Sequence, residues 1–201
     1  MNEFYYTANP TSAHQLREVE MEVLGVRAVY TTDAGVFSRD GLDTGTRVLL
    51  EALPALDGRA LDLGCGWGPV GLTLAKKYPD LDVVMTDINA RAVELSKKNL
   101  ARNGAKATVV QGDAFENVEG TFDAIITNPP IRTGKAAIYA MFADAQNYLS
   151  ATGELYIVIR KQQGAPSALK YLREIYASAE VIEREAGFWV IRASKSAPKE
   201  G

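Results

Sequence analysis

The sequence predicts an α/β protein in which a doubly wound, mostly parallel sheet follows an N-terminal β-hairpin, and three observations lead to that expectation. Five short apolar runs without polar alternation, at residues 60–63, 83–86, 108–111, 124–127 and 155–159, are separated by helical segments at 70–77, 91–103, 135–149 and 166–177. Strands that are apolar on both sides and alternate with amphipathic helices make a parallel sheet covered on both faces. The last two runs, 180–184 and 189–193, are joined through Gly187. That link is too short for a parallel crossover, so they are expected to pair antiparallel at the end of the sheet. Ahead of all these, residues 19–24 alternate apolar and acidic side chains, Gly25 supplies a turn and residues 27–32 return as a second strand, the pattern of a hairpin. Its one-sided alternation suggests a flap over something else. Between hairpin and sheet a helix opens at Asp43, with Thr44 as the expected N-cap and Val48, Leu49, Ala52 and Leu53 as its buried stripe.

No repeat, low-complexity tract or long Pro/Gly/Ser linker interrupts the chain, so residues 1–201 read as one domain, with a hairpin extension at 1–36, a core at 37–193 and a polar tail from 194 onward. A length of 201 residues with 47% hydrophobic side chains suits one core of this size and leaves no room for a second catalytic domain. The single Cys65 excludes an internal disulfide framework, and the single His14 leaves no cluster of soft ligands, so metal-free chemistry is expected. The N-terminus lacks a basic segment followed by an apolar one, and no stretch approaches the ~20 apolar residues that span a bilayer. No membrane association and a cytoplasmic location are the corresponding expectations, and nothing in the sequence forbids self-association. With 22 Lys+Arg against 25 Asp+Glu the net charge is −3, which argues against a surface coated for non-specific nucleic-acid binding. Local basic pairs remain at Arg132 and Lys135 and at Arg160 and Lys161.

The strongest local signal is Leu61-Asp62-Leu63-Gly64-Cys65-Gly66-Trp67-Gly68-Pro69, a strand running into a glycine-rich turn that opens a helix. Glycines there let a ligand approach the backbone, and the helix start offers unpaired amide donors. Asp87 closes the next strand, followed by Ile88, where its carboxylate can accept two hydrogen bonds from ribose hydroxyls. Asp113, followed by Ala114, comes after the third strand and is placed to accept from an adenine amino group. These strand ends share one edge of a parallel sheet, where such folds bind ligands. Dinucleotide sites use a similar glycine fingerprint with an acid some twenty positions on, so an adenosine-bearing cofactor follows from these residues, and NAD remains open at this point.

With these motifs the chain from Phe37 onward resembles the class I S-adenosylmethionine-dependent methyltransferases. The resemblance implies S-adenosyl-L-methionine as cofactor, with the loop of Asp62, Gly64, Gly66 and Gly68 facing its methionine part, Asp87 and Ile88 holding the ribose, and Asp113 and Ala114 holding the adenine. It also makes NAD the poorer fit, because the GxGxG pattern here lacks the third glycine three positions on. Cys65 reads as a small buried residue of the loop rather than a nucleophile.

The fourth parallel strand ends in Asn128-Pro129-Pro130-Ile131. Two consecutive prolines fix both φ angles and push Asn128 out of the helical region, which holds its amide rigidly at the strand end. The Asn128 carbonyl oxygen and a backbone carbonyl before a proline can accept the two hydrogens of an sp² amine. Acceptors that bind the amine better as it pyramidalises and gains positive charge lower the barrier to its alkylation. In the family this tetrapeptide sits next to the transferable methyl and marks methylation of nitrogen in a base or a glutamine side chain. Asn128, Pro129 and Pro130 are therefore the expected catalytic residues, with Asn128 also beside the cofactor. The usual fourth residue is aromatic and stacks on the target; here it is Ile131, so Phe37 is the candidate stacking residue, with Arg132 and Lys135 as candidate phosphate contacts.

The run from Gly35 to Leu50, together with Asn128 to Lys135, is similar to the short, single-domain relatives of the small-subunit ribosomal-RNA guanine-N2 methyltransferases. That similarity implies a seven-stranded sheet with one antiparallel strand and guanine in ribosomal RNA as the default substrate. An amine of a protein glutamine or small molecule is the alternative, and a cofactor-binding protein without turnover is a third reading.

Overall fold

The computed structural model describes residues 7–10 and 12–196. Seven strands form the main sheet: β3 (Arg59–Leu63), β4 (Asp82–Asp87), β5 (Thr108–Gln111), β6 (Phe122–Thr127), β7 (Leu149–Arg160), β8 (Ser178–Glu185) and β9 (Phe188–Ser194). They lie in the order β5-β4-β3-β6-β7-β9-β8. β9 runs antiparallel to both β7 and β8, and the other pairings are parallel, so the expected sheet with one reversed strand is present. Strand residues alternate between two cores. Tyr156 and Val158 of β7 face the cluster that includes helices α1 (Thr44–Ala52), α2 (Pro69–Lys77) and α3 (Ala90–Arg102), while Leu155, Ile157 and Ile159 face the cluster that includes α4 (Lys135–Tyr148) and α5 (Ala165–Ile175). A strand apolar on both sides is therefore the strand's correct sequence for a sheet with helices on both faces.

Several boundaries differ from the sequence reading. The N-cap of α1 is Asp43, not Thr44: Asp43 has extended backbone angles and its Oδ2 accepts the Thr46 N–H at 2.8 Å, and a carboxylate at a helix start gains from the exposed amide dipoles. Leu50 joins Val48 and Leu49 as the buried stripe, whereas Ala52 and Leu53 are only half-buried. β7 starts at Leu149, which is the C-cap of α4 and not its last turn. The expected tail from 194 begins later, because Ser194 belongs to β9 and donates to Glu154 (2.9 Å), and the Lys195 amide bonds the Gly153 carbonyl (3.3 Å); residues 197–201 of that tail, and 1–6 and 11 of the extension, lie outside the described residues.

The hairpin is present as β1 (Arg17–Val23) and β2 (Val26–Thr32), in register from Arg17 opposite Thr32 to Val23 opposite Val26. Its turn residues Leu24 and Gly25 both take positive φ, 54° and 75°, as a tight two-residue hairpin turn requires. It is not a flap over the cavity. The edge of β2 is instead zipped to α3 by two asparagines one turn apart. The Asn99 side chain accepts from Thr31 N–H (2.7 Å) and donates to Thr31 O (3.0 Å), and the Asn103 side chain accepts from Val29 N–H (3.1 Å) and donates to Val29 O (2.8 Å). A primary amide presents the same donor and acceptor as a peptide unit, so the pair completes the ladder that a neighbouring strand would supply and closes an edge otherwise open to pairing. Tyr30 lies between these anchors, edge-on to Trp67 at 4.9 Å, and burial pushes its hydroxyl up to about 12. What reaches the cavity is the segment that leaves the hairpin, 33–42, held by Asn89 Nδ2 donating to Gly35 O (2.9 Å) and Arg91 donating to Ala34 O (2.6 Å).

Asn99 also donates to Trp67 O at 2.8 Å, so its removal strands three buried polar groups. Asn99→Ala is expected to cost about 3 kcal/mol, which for a chain of this size lowers the melting temperature by roughly 6–12 °C. Calorimetry measures it, and an unchanged melting temperature would mean that the hairpin is not held by this zipper. Among the described residues no helix is long and apolar enough to cross a membrane, and no three His, Cys, Asp or Glu side chains are grouped as a metal ion would need.

Candidate active site

The parallel strands deliver their carboxyl ends to one edge, and the loops that follow line a single cavity. From β3 come Asp62, Leu63, Gly64, Cys65 and Gly66; from β4, Thr86, Asp87, Ile88 and Asn89; from the turn after β5, Gly112, Asp113 and Ala114; and from the end of β6, Thr127, Asn128, Pro129 and Pro130. The segment before α1 closes the other side with Val36, Phe37, Ser38, Leu42, Asp43 and Thr46. Such a crevice at the carboxyl ends of a doubly wound sheet is where ligands bind in this architecture.

The glycine loop is held from below. Gly64 N–H and Cys65 N–H both donate to Thr86 O at 2.9 Å, Gly66 N–H donates to Asp87 Oδ2 at 2.8 Å, and Ser96 Oγ donates to Gly66 O at 2.8 Å. Gly64 and Gly66 take φ of 78° and 57°, and a Cβ at either would meet no atom within 4 Å, so the loop's ligand-facing surface is bare backbone over open space. Gly68 differs. It is the left-handed N-cap of α2, a Cβ there would lie 3.0 Å from Ser96 Oγ and 3.1 Å from Met85 Cε, and it does not line the cavity; its role is to let α2 pack against α3 and β4. Cys65 is buried, and burial pushes its thiol well above the ordinary value, which keeps it neutral and non-nucleophilic.

Four carboxylates stand around this cavity, Asp43 at the start of α1 and three at the strand ends. Asp62 is 3% exposed, and its Oδ2 accepts the Gly71 N–H at 2.8 Å. Burial first, and then the nearby Asp87 charge, push it up to about 7. Asp87 accepts from Gly66 N–H and, through Oδ1, from Asn89 N–H at 2.9 Å; burial raises it as well. Asp113 is exposed at the rim, on a turn fixed by Ala114 at φ 48°. Thr86 Oγ1 is buried in the cavity wall and has no hydrogen-bond partner among the described residues. Two buried carboxylates short of counter-charge, an orphaned hydroxyl and bare loop backbone suit a cationic, hydroxyl-bearing ligand.

Asn128 is half-buried at the cavity wall, and its Nδ2 donates to Asp43 Oδ2 (2.9 Å) and Thr46 Oγ1 (3.0 Å). Phe37 is 40% exposed at the mouth, its carbonyl accepting from Trp67 Nε1 at 2.9 Å. Ile131, Arg132 and Lys135 do not line the cavity. Ile131 packs on the α4/α5 core, Arg132 is exposed, and Lys135 Nζ lies 5.1 Å from the Tyr139 ring. Asp43, Thr46, Thr86, Asn89 and Trp67 were not legible as site residues.

A family model, the methyltransferase small domain, matches residues 27–192. The chain belongs to that family. It is 40% identical to uncharacterized protein YbxB of Bacillus subtilis over 97% of this chain and 100% of that one. It is also 40% identical to ribosomal RNA small subunit methyltransferase C of Aeromonas hydrophila, over 78% of this chain but 46% of that protein, so it spans about half the length of such relatives. Among solved structures it resembles the T. thermophilus 16S rRNA N2 methyltransferase RsmC, in complex with AdoMet and guanosine, at TM-score 0.82 and 27% identity over 93% of this chain and 52% of that one. Membership in the methyltransferase small domain family makes S-adenosylmethionine the cofactor and sets NAD aside. The residues present fit a ligand of that chemistry, with Asp62, Asp87 and the bare Gly64–Gly66 backbone available to a cationic, hydroxyl-bearing group and Asp113 at the rim. When bound, the cofactor supplies an electrophilic methyl carbon on a sulfonium.

The raised Asp62 gives a pH signature. Its folded value lies above the ordinary 3.8, so the folded cofactor-free protein keeps a proton that the unfolded chain releases. The stability this proton lends is present at acid pH and is lost as pH rises from about 4 to about 7. A cation beside Asp62 favours its ionised form, so cofactor affinity is expected to rise from about pH 5 to about pH 7.5, with proton release on binding. Calorimetric titrations in buffers of different ionisation enthalpy measure both. A flat affinity profile, or Asp62→Asn showing the same slope, would place the cofactor's charge elsewhere.

Proposed function

We propose that the chain transfers a methyl group from S-adenosylmethionine to the exocyclic N2 amine of guanine in ribosomal RNA. The observation that carries this reading is that Asn128, Pro129 and Pro130 line the same cavity as Asp62, Asp87 and Asp113, with the Asn128 NH₂ already committed to Asp43 and Thr46. Its Oδ1 is thereby left as an acceptor. In the reaction the amine nitrogen forms a bond to the methyl carbon as the carbon–sulfur bond breaks and its electron pair returns to sulfur. The amine's surplus proton leaves to solvent. Asn128 Oδ1 and the Pro129 carbonyl hold the two amine hydrogens, most strongly once nitrogen has become cationic.

Phe37 would supply a face for the base, which must leave its stack to be attacked in line, at a cost of a few kcal/mol. Exposed Arg132 and Lys135 follow directly after the catalytic turn, where cations suit RNA phosphate. The similarity to ribosomal-RNA methyltransferases supports RNA as partner. The net charge of −3 favours the alternative, a protein glutamine or small-molecule amine. The test incubates the protein with labelled S-adenosylmethionine and ribosomal RNA or subunits from a strain lacking the gene, followed by nucleoside digestion. Label in N2-methylguanosine supports the reading; label only in protein, or in another nucleoside, overturns it.

A further inference from the structure

We infer that Asp43, together with Thr46, is a positioning residue that locks the side-chain amide of Asn128 with Oδ1 turned to the substrate; this deepens, and rests on, the amine-methylation reading above. An asparagine amide is nearly symmetric in shape, and with Pro129 and Pro130 fixing the backbone beyond it, rotation of the amide is the freedom that remains. Its two orientations are opposite in chemistry. One offers an acceptor to the amine's hydrogens, and the other sets an N–H donor against them.

The neighbours choose between the two. An ionised Asp43 carboxylate can only accept, so the group 2.9 Å from its Oδ2 must be the Asn128 nitrogen. Thr46 Oγ1, 3.0 Å from the same nitrogen, spends its proton on Asp43 Oδ2 at 3.0 Å and therefore turns only a lone pair to Asn128. A flipped amide would face two acceptors with an oxygen and no proton between them. The same Asp43 oxygen caps α1 through the Thr46 N–H, so the first turn of α1 and the end of β6, 85 residues apart at Asp43 and Asn128, are tied at one atom. Asp43 is thus more than a helix cap: its charge dictates the hydrogen-bonding sense of the catalytic side chain.

The test separates these duties. In Asp43→Ser the shorter hydroxyl keeps a good N-cap but does not reach Asn128, and in Thr46→Val the second acceptor is lost while Asp43 stays. The primary readout is the side-chain ¹⁵N–¹H₂ signal of Asn128 in the S-adenosylmethionine-bound protein, which does not depend on the substrate's identity. In the wild type the two amide protons are expected to be shifted from free-amide positions and slow to exchange, and in Asp43→Ser to move back towards them. With ribosomal RNA as substrate, kcat is expected to fall fivefold or more while KM for cofactor and RNA stays within threefold. Asp43→Ser added to Asn128→Ala is expected to slow the residual reaction no further, because the effect passes through Asn128. An Asn128 signal unchanged by Asp43→Ser, a kcat loss below fivefold, or full additivity in the double variant overturns the inference. If the wild type methylates no RNA, the substrate assignment falls and the amide signals alone decide whether the lock exists.

Discussion

Asn128→Ala is expected to reduce turnover by at least a hundredfold while leaving S-adenosylmethionine affinity within about threefold. A preorganised hydrogen-bonding group aimed at developing charge contributes about a factor of 10² to 10³ in kcat. The Asn128 side chain is held for that task by bonds to Asp43 and Thr46, and none of the contacts that brace the glycine loop runs through it. Binding and rate should therefore separate. A stopped-flow or single-turnover assay gives the rate of methyl transfer, and calorimetry gives the cofactor affinity. A variant that keeps more than about a tenth of the wild-type rate would remove the two-acceptor mechanism, and a parallel loss of cofactor affinity would make Asn128 a binding residue instead.

How much of this site was legible in the sequence depended on whether the signal was local. The glycine loop, Asp87, Asp113 and Asn128-Pro129-Pro130 each follow an apolar strand directly, and parallel strands bring their carboxyl ends to one edge whatever the details of packing. Periodicity and turn chemistry bring those strand ends together, and the resemblance to the methyltransferases is what assigns Asn128-Pro129-Pro130 to the chemistry. Asp43 and Thr46 could not, because nothing local distinguishes a helix cap from a helix cap that also bonds a residue 85 positions away. Asn99 and Asn103 were hidden for the same reason: on α3 and at its C-cap they read as ordinary polar positions, and only the docking of β2 shows them acting as a surrogate strand. Without that docking, the hairpin's alternating face suggested a flap, whereas the half-buried surface is spent against α2 and α3. Gly68 was read as part of the ligand loop because the glycine spacing is regular, yet it is the close approach of Ser96 and Met85 that demands glycine there.

Asp87→Ala is expected to weaken S-adenosylmethionine binding by at least thirtyfold, more than the roughly tenfold that a single ribose contact implies at the lower end of its range. A hydrogen bond to a charged acceptor contributes about 1.5–3 kcal/mol, and a tenfold change in affinity corresponds to about 1.4 kcal/mol. In the protein Asp87 already serves two amides, Gly66 N–H at 2.8 Å and Asn89 N–H at 2.9 Å. It therefore shapes both the glycine loop proposed to receive the methionine part and the start of α3. Alanine removes the ribose acceptor and frees both amides, and the ligand must then order a loop that the wild type holds in advance. Asp87→Asn keeps one acceptor oxygen and gives up the charge, so an intermediate loss near tenfold is expected. Folding stability should change less than affinity, because burial raises the Asp87 carboxyl and its deletion also relieves the desolvation of a charge. Calorimetric affinity set beside melting temperature resolves the two effects. An affinity within threefold of wild type in Asp87→Ala would take Asp87 out of the cofactor site, and a collapse in melting temperature with no separate affinity defect would make its role structural.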